Sequence, residues 1–394
     1  VRHEDHCERE HERGPDHPAL EEGQAEHPEI TKDVRQFLVA DLGERRIHHQ
    51  DQADGNRQIG GANLQLIVVH PHVGTSVFNN PAIREIAIAP EQKSKRYLIN
   101  CYNYSKQVFE IAVKHPQAVI YSQGLSVWYG IKQLRNRVIV NPHGLEPYQT
   151  LSLKDKLLGT PFRLIFNHLF RNAGHVVSLG GRLTGILKPL TKKVITLPNA
   201  VNVPEPLNRK FDNVPLQFLF VGRFAFNKGI NILAQAVKEL NSEGYDTKLT
   251  FNLVGKGPLF EEYRKEYAFA NLNYLGFADD DKLNELYRTN DVFVLPTLFE
   301  GMPTVVLEAM AHGMPIIVTD VGATLEMVGP ENGYIIEKND VASLKEAILK
   351  YYFTTADERK QLSKASYEKV KNNFTWKIVA EKHAHLFEAI ASKP

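Results

Sequence analysis

The sequence predicts an α/β protein made of two parallel, doubly wound domains. Three observations carry that prediction. From Leu64 onward, short runs of consecutive apolar residues alternate with stretches of helical spacing, and strands that are apolar on both faces belong to parallel sheets covered by helices. Glycine turns stand directly after several of these runs, at Gly222, Gly255 and Gly276, where an open parallel sheet gathers its ligand loops. A connection marked by Pro204, Pro206 and Pro215 divides the chain in two.

Bulk properties bound the rest. A chain of 394 residues, 43% hydrophobic and 24% charged, can bury two or three cores. No window approaches the roughly 18 uninterrupted apolar residues of a membrane span, and no signal-peptide core opens the sequence. A cytoplasmic protein is expected. Cys7 and Cys101 are the only cysteines and lack metal-site spacing, and the histidines at 48, 49, 70 and 72 match no defined site. No metal is expected. Residues 1–58 hold 8 Lys/Arg against 15 Asp/Glu, and Phe37 is the only aromatic residue before Phe78. A segment so poor in large apolar groups cannot easily offset its chain entropy, so residues 1–60 are expected to be disordered or atypical. The remainder carries 39 basic against 31 acidic residues. Nucleic acid is not an expected partner.

The first domain is expected over residues 61–203. Residues 64–69 read as a compact strand, 96–100 as a weaker one, and 105–114 as a helix. Strands follow at 118–121 and 137–141, the second leading into Asn141-Pro142-His143-Gly144 at a carboxyl edge, where a lone histidine is more often structural than catalytic. Residues 147–200 hold eight Lys/Arg and one acid, Asp155, interleaved with leucine and phenylalanine. Such a stretch suits an anionic acceptor or an anionic membrane surface, though a charged face over an ordinary core helix explains it equally. Two further strands, 175–179 and 194–197, complete the domain.

The second domain, residues 204–375, is more regular. Strands are expected at 217–221, 249–254, 272–275, 292–295 and 316–319, with helices at 229–242, 258–269, 280–289 and 304–312. A final helix from about 357, carrying Trp376, Phe387 and Ile390, is long enough for residues 376–394 to cross back to the first domain.

Chemistry concentrates in this second half. Gly222 lets a ligand approach the backbone, and Arg223 and Lys228 place two cations at one strand edge, as a diphosphate requires. Two solvated cations at a strand end would look the same locally. Val254-Gly255-Lys256-Gly257-Pro258 is neither a P-loop nor a dinucleotide fingerprint, so no cofactor is expected, although the turn admits a flat base. Glu300 precedes a Gly301-Met302-Pro303 turn that opens a helix, and Glu308 lies about two turns into it. The free N–H groups at that helix start suit a phosphate or a sugar hydroxyl. Two surface glutamates around an ordinary turn are the alternative.

Taken in order, Gly222-Arg223 with Lys228-Gly229, Gly255-Lys256-Gly257-Pro258, Leu275-Gly276-Phe277, and Glu300-Gly301-Met302-Pro303 with Glu308-Ala309-Met310-Ala311-His312-Gly313-Met314-Pro315 resemble the retaining glycosyltransferases of family 4. Pro198-Asn199-Ala200-Val201 resembles that family's Pro-Asn-Gly-Val linker, with Ala200 replacing glycine, and His143-Gly144 resembles the His-Gly of its first domain. Family members usually open with a strand and a glycine-rich loop, of which residues 1–95 show no convincing copy.

The resemblance implies two Rossmann-like domains facing a cleft, the GT-B architecture, and a nucleotide-diphosphate sugar, UDP- or GDP-linked, held mainly by the second. It implies Gly222, Arg223 and Lys228 at the diphosphate and Glu308 at the ribose. Glu300, a catalytic candidate read as positioning the sugar rather than as the nucleophile of a double displacement, would with the backbone of Gly301, Met302 and Pro303 hold the sugar and its phosphate. Val254, Gly255 and Phe277 would flank the base, and His143 would contact the sugar from across the cleft. Transfer would run with retention and without a metal to a glycan or lipid-linked acceptor, at the inner face of a membrane if the basic stretch makes peripheral contact. A nucleotide-sugar-binding protein with impaired catalysis and a nucleotide-sugar epimerase are the competing expectations.

Overall fold

The computed structural model of the chain describes residues 35–40, 64–74, 78, 80, 83–88, 97–150 and 152–391. In chain order the first half runs β1 (Arg35–Ala40), β2 (Leu64–His70), β3 (Ile83–Ala87), α1 (Tyr97–Ala112), β4 (Val119–Gln123), α2 (Ile131–Leu134), β5 (Val138–Asn141), α3 (Glu146–Gln149), α4 (Leu153–Leu158), α5 (Thr160–Asn172), β6 (His175–Ser178), α6 (Gly181–Leu187) and β7 (Val194–Thr196). Its strands form one parallel sheet in the order β3-β2-β1-β4-β5-β6-β7. The second half runs β8 (Leu216–Val221), α7 (Ile230–Ser242), β9 (Leu249–Val254), α8 (Phe260–Glu266), β10 (Leu272–Gly276), α9 (Asp280–Thr289), β11 (Val292–Leu295), α10 (Thr304–Ala311), β12 (Ile316–Thr319), α11 (Thr324–Met327), β13 (Gly333–Ile336), α12 (Val341–Phe353), α13 (Ala356–Asn373) and α14 (Trp376–Ala391). These strands form a second parallel sheet, β10-β9-β8-β11-β12-β13.

Both sheets therefore reverse direction at the same place, between their first and fourth strands. In doubly wound sheets that reversal opens a crevice beyond the strands' carboxyl ends. The central strands are buried along their length, as in β5, β11 and β12, which is why they read as unbroken apolar runs. Helix starts are fixed locally: Asp279 accepts from Lys282 N, Asp340 from Ser343 N, and Thr355 with Glu358 forms a reciprocal capping box.

Four expectations need correction. Disorder, one of the two expectations for residues 1–60 beside an atypical segment, does not hold at Arg35–Ala40, which pairs with β2 on one side and β4 on the other, at the centre of the first sheet. A central parallel strand needs only a handful of apolar residues, and Phe37 to Ala40 supply them inside a segment whose average composition hides them. This strand takes the place of the opening strand that the sequence seemed to lack. The other expectations for residues 1–34 and 41–60 lie outside the described residues. Residues 97–100 of the expected strand at 96–100 are helical. They enter α1, whose buried Cys101, Tyr104, Ser105, Val108 and Ala112 follow the helical period, and residue 96 lies outside the described residues. β13 was not anticipated, because Gly333-Tyr334-Ile335-Ile336 is too short to separate from a loop. The last helix is two helices, α13 and α14, broken where Val201 N donates to Phe374 O at 2.9 Å and Val201 bridges Thr375.

α14 does cross back. Its Ile390 joins Val119, Tyr121, Ile139, Val177 and Leu197 in a core on the first sheet, and Phe387 meets Tyr121 edge-on at 5.7 Å. Trp376 stays half exposed at the break. The linker between β7 and β8 is anchored by Arg209, which donates to Tyr287 O, to Asn290 O at 2.6 Å and to His312 O at 2.9 Å. Those carbonyls lie at the ends of α9 and α10, where the helix dipoles are negative. Burial nonetheless pulls the Arg209 guanidinium down to about 10.

Candidate active site

The second sheet's reversal lies between β8 and β11, and the residues singled out in the sequence flank it. From the β8 edge, Gly222 and Arg223 lead into a 3-10 turn ending at Lys228. From the β11 edge, Pro296 to Gly301 lead into α10. Lys228 Nζ donates to Glu300 Oε1, closing the two edges into one site. Thr297 Oγ1 reaches the same carboxylate oxygen at 3.1 Å. Both members of the pair are largely buried, so their attraction is weakly screened. Arg223 beside them is exposed.

Glycine makes this convergence possible. Gly229 has φ +67°, and a Cβ there would lie 1.9 Å from Pro296 O. Gly255 has φ +136°, and its Cβ would lie 2.0 Å from Gly222 O. Gly255 N also donates to Gly276 O at 2.7 Å, so the turns after β8, β9 and β10 are packed backbone to backbone. Any side chain at these two positions would push the turns apart. Phe277, half exposed, follows the third turn, whereas the Val254 side chain is buried in the core and brings only its backbone to the edge.

Glu308, the second carboxylate, is held by a group that the sequence did not single out. Tyr287 OH donates to Glu308 Oε2 at 2.8 Å. Tyr287 is fully buried, and burial together with the Glu308 charge pushes its phenol well above its ordinary range, so it stays a donor. His312 stacks on Tyr287 with centroids 5.1 Å apart, and its Nδ1 bonds Glu308 O at 2.8 Å. Burial pulls the His312 imidazole below its usual value. Nothing in the α9 sequence marks Tyr287, which occupies an ordinary inward helical position.

The first domain closes directly on this site. His143 has φ +58° and its N–H donates to Asn141 Oδ1 at 3.0 Å, which turns the loop after β5 toward the second domain. A Cβ on Gly301 would sit 3.2 Å from Gly144 Cα, so the His143-Gly144 and Glu300-Gly301 loops touch. Gln149 on α3 ties them together, its Nε2 donating to Gly144 O and to Glu300 O, the latter at 2.9 Å. Asn199 of the linker does the same for the next residues, with Nδ2 donating to Met302 O at 2.8 Å and the Met302 side chain buried behind it. Farther along, Arg182 grips Asp320 with two bonds of 2.8 and 2.6 Å, and Gly181 N donates to Glu326. Sequence reasoning missed Gln149 because its partners are 151 residues away in one case.

Residues 215–352 match the family model described as glycosyl transferases group 1. Over these residues, about a third of the chain, the sequence is similar to that glycosyltransferase family. An uncharacterised glycosyltransferase of Methanocaldococcus jannaschii is 28% identical over 315 residues, covering 76% of this chain and 82% of the relative. A UDP-Gal:α-D-GlcNAc-diphosphoundecaprenol α-1,3-galactosyltransferase of Escherichia coli is 32% identical over a shorter stretch, 34% of this chain and 35% of its own length. Sucrose-phosphate synthase of Thermosynechococcus elongatus superposes with a TM-score of 0.72 at 19% identity, over 90% of this chain and 99% of that one. The chain thus has the GT-B fold, with its two Rossmann-like domains meeting at the Gly144–Gly301 contact. Among the described residues no group of three or more His, Cys, Asp or Glu side chains is placed to hold a metal, and no helix is long and apolar enough to cross a membrane.

Proposed function

We propose that this transferase moves a glycosyl group from a nucleoside-diphosphate sugar, UDP- or GDP-linked, to a glycan or lipid-linked acceptor with retention of anomeric configuration. The observation that carries the reading is the Lys228–Glu300 pair across the reversal between β8 and β11, beside Arg223 and the start of α10. Arg223 and Lys228 face the diphosphate, and the first N–H groups of α10 extend the same positive surface. Glu308, oriented by Tyr287, accepts from the ribose hydroxyls. The turns at Gly255 and Phe277 border the base, with the backbone of Val254 between them. Glu300 and the Gly301-Met302-Pro303 backbone position the sugar, and His143 approaches it from the first domain.

Glu300 is better suited to positioning than to nucleophilic attack, since Lys228 and Thr297 both reach its Oε1 and hold the carboxylate in place. In this mechanism the acceptor hydroxyl attacks the anomeric carbon from the face the diphosphate is leaving. The C1–O bond to phosphate breaks with its electron pair going to the nucleoside diphosphate, the new C1–O bond forms, and the acceptor proton passes to the departing phosphate oxygen. Preorganised cations aimed at developing charge lower such barriers most. Because side chains supply that charge, the reaction proceeds without a metal, and a chelator is expected to leave the rate unchanged. The relative that uses UDP-Gal and a diphospholipid acceptor supports a lipid-linked acceptor and work at the inner face of a membrane.

A mutant series tests the assignment. Arg223→Ala, Lys228→Ala and Glu300→Ala are each expected to lower transfer by about 10²–10³-fold, and wild-type rates in all three would sink it. A thermal-shift screen with UDP and GDP sugars then identifies the donor, since a ligand at 100 times its Kd stabilises by roughly 2.7 kcal/mol.

A further inference from the structure

α4 and the outer face of α5 leave the first domain with apolar surface that the core does not use. Three of the six residues of α4 are leucines, and none of the six is buried. Leu153 is 84% exposed, Leu157 75%, Leu158 64%, and Leu164 on α5 66%. Leu153 and Leu157 stand one turn apart on the same side of the helix. The core takes the opposite face of α5, through Phe166, Leu169 and Phe170. Nor is α4 loosely attached: Arg163 Nη2 and Thr160 Oγ1 both donate to Lys156 O, at 2.6 and 3.0 Å, and fix the turn between the two helices. Tyr97, half exposed at the start of α1, extends the surface with its ring 6.0 Å from that of Phe162.

Charge completes the pattern. Lys154, Lys156 and Arg171 are exposed around the leucines. Asp155, the one acid between residues 147 and 200, is engaged at the helix cap, its carboxylate accepting from Ser152 Oγ at 2.7 Å. A fixed apolar face with a cationic rim is what the boundary between headgroups and acyl chains of an anionic bilayer accommodates. Its location adds a reason. α3, which immediately precedes α4, carries the Gln149 that bonds Glu300 O, so this surface adjoins the mouth of the cleft.

We propose that α4 and the outer face of α5 are a docking surface for an anionic bilayer, with Leu153, Leu157, Leu158 and Leu164 entering the interface and Lys154 and Lys156 engaging lipid phosphates. Docked this way, the cleft receives the head of a lipid-linked acceptor while its chain stays in the bilayer; that second step rests on the transferase reading above. The test is co-flotation of the full chain with vesicles of phosphatidylcholine alone or mixed with phosphatidylglycerol. Binding is expected only to the mixed vesicles. Replacing all four leucines by serine is expected to weaken it by about tenfold or more, and Lys154→Glu with Lys156→Glu to do the same in low salt. Absence of co-flotation, or binding that ignores the leucine changes, overturns the proposal. Self-association by ultracentrifugation that the serine variant abolishes overturns it in favour of a second copy. Calorimetric titration of a nucleotide sugar keeps the readings apart: the serine variant should bind donor as wild type does, and a wild-type chain that binds donor but no vesicle loses only the docking surface.

Discussion

The two sheets share a strand order and differ in how they build a cleft wall. In the second, the turns after β8 and β9 and the one before α10 are pressed together through Gly229 and Gly255, at the edge where the sheet reverses. In the first, the loop after β5 is held by a side chain, Gln149, that reaches across to the other domain. One wall is made by backbone constraint within a domain, the other by contact between domains. The lesson is that the same topology yields a closely packed wall of turns only where glycine lets neighbouring turns approach.

Glycine substitutions break that comparison most strongly. Gly229→Ala places a Cβ against Pro296 O in a left-handed backbone, and a loss of about 3 kcal/mol in urea unfolding is expected. Gly185→Ala in α6 meets nothing within 4 Å and should stabilise by roughly 0.5–1 kcal/mol. Equal effects at the two sites would remove the distinction.

Next comes the wall built by contact. Gln149→Ala is expected to lower kcat/KM by about tenfold through a misplaced Glu300 loop, while donor affinity measured by calorimetry changes little. Tyr287→Phe acts within the second wall. It should raise the donor KM about fivefold, roughly 1 kcal/mol and within the net range of one ordinary hydrogen bond, with kcat kept.

A smaller effect is expected with pH. Burial holds the imidazoles of His312 and His383 below their usual value in the folded state. The unfolded chain then binds more protons below about pH 6.5, so the stability these groups contribute is complete above that pH and is lost as pH falls toward their folded values. Urea midpoints at pH 7.5 and 5.5 should show the decline, and His312→Asn should reduce it. A decline unchanged by that substitution would remove His312 as its source. Smallest of all is Arg182→Ala. The Arg182–Asp320 pair joins the walls at an exposed position, so a cost under about 1 kcal/mol is expected, shrinking in high salt.

Legibility in the sequence followed these physical differences. Glu300, Lys228, Gly255 and Glu308 lie on strand edges and helix starts whose local pattern identifies them, and the structure joins Lys228 to Glu300 as one site. Tyr287 and Gln149 were not legible, because a buried tyrosine and a surface glutamine look ordinary until their partners, 21 and 151 residues away, are known. β1 escaped for a related reason. Four apolar residues in a polar segment become a strand only because β2 and β4 wait on either side.

The sequence by itself determined the alternation of strands and helices and the glycine-framed edge with its cations and carboxylates, since each depends on neighbours within a few residues. The tertiary structure alone decided that Lys228 meets Glu300, that Tyr287 holds Glu308, that α14 returns to the first sheet, and that the leucines of α4 face outward. Those outcomes depend on distances between residues far apart in the chain, and local propensity carries no term for such distances.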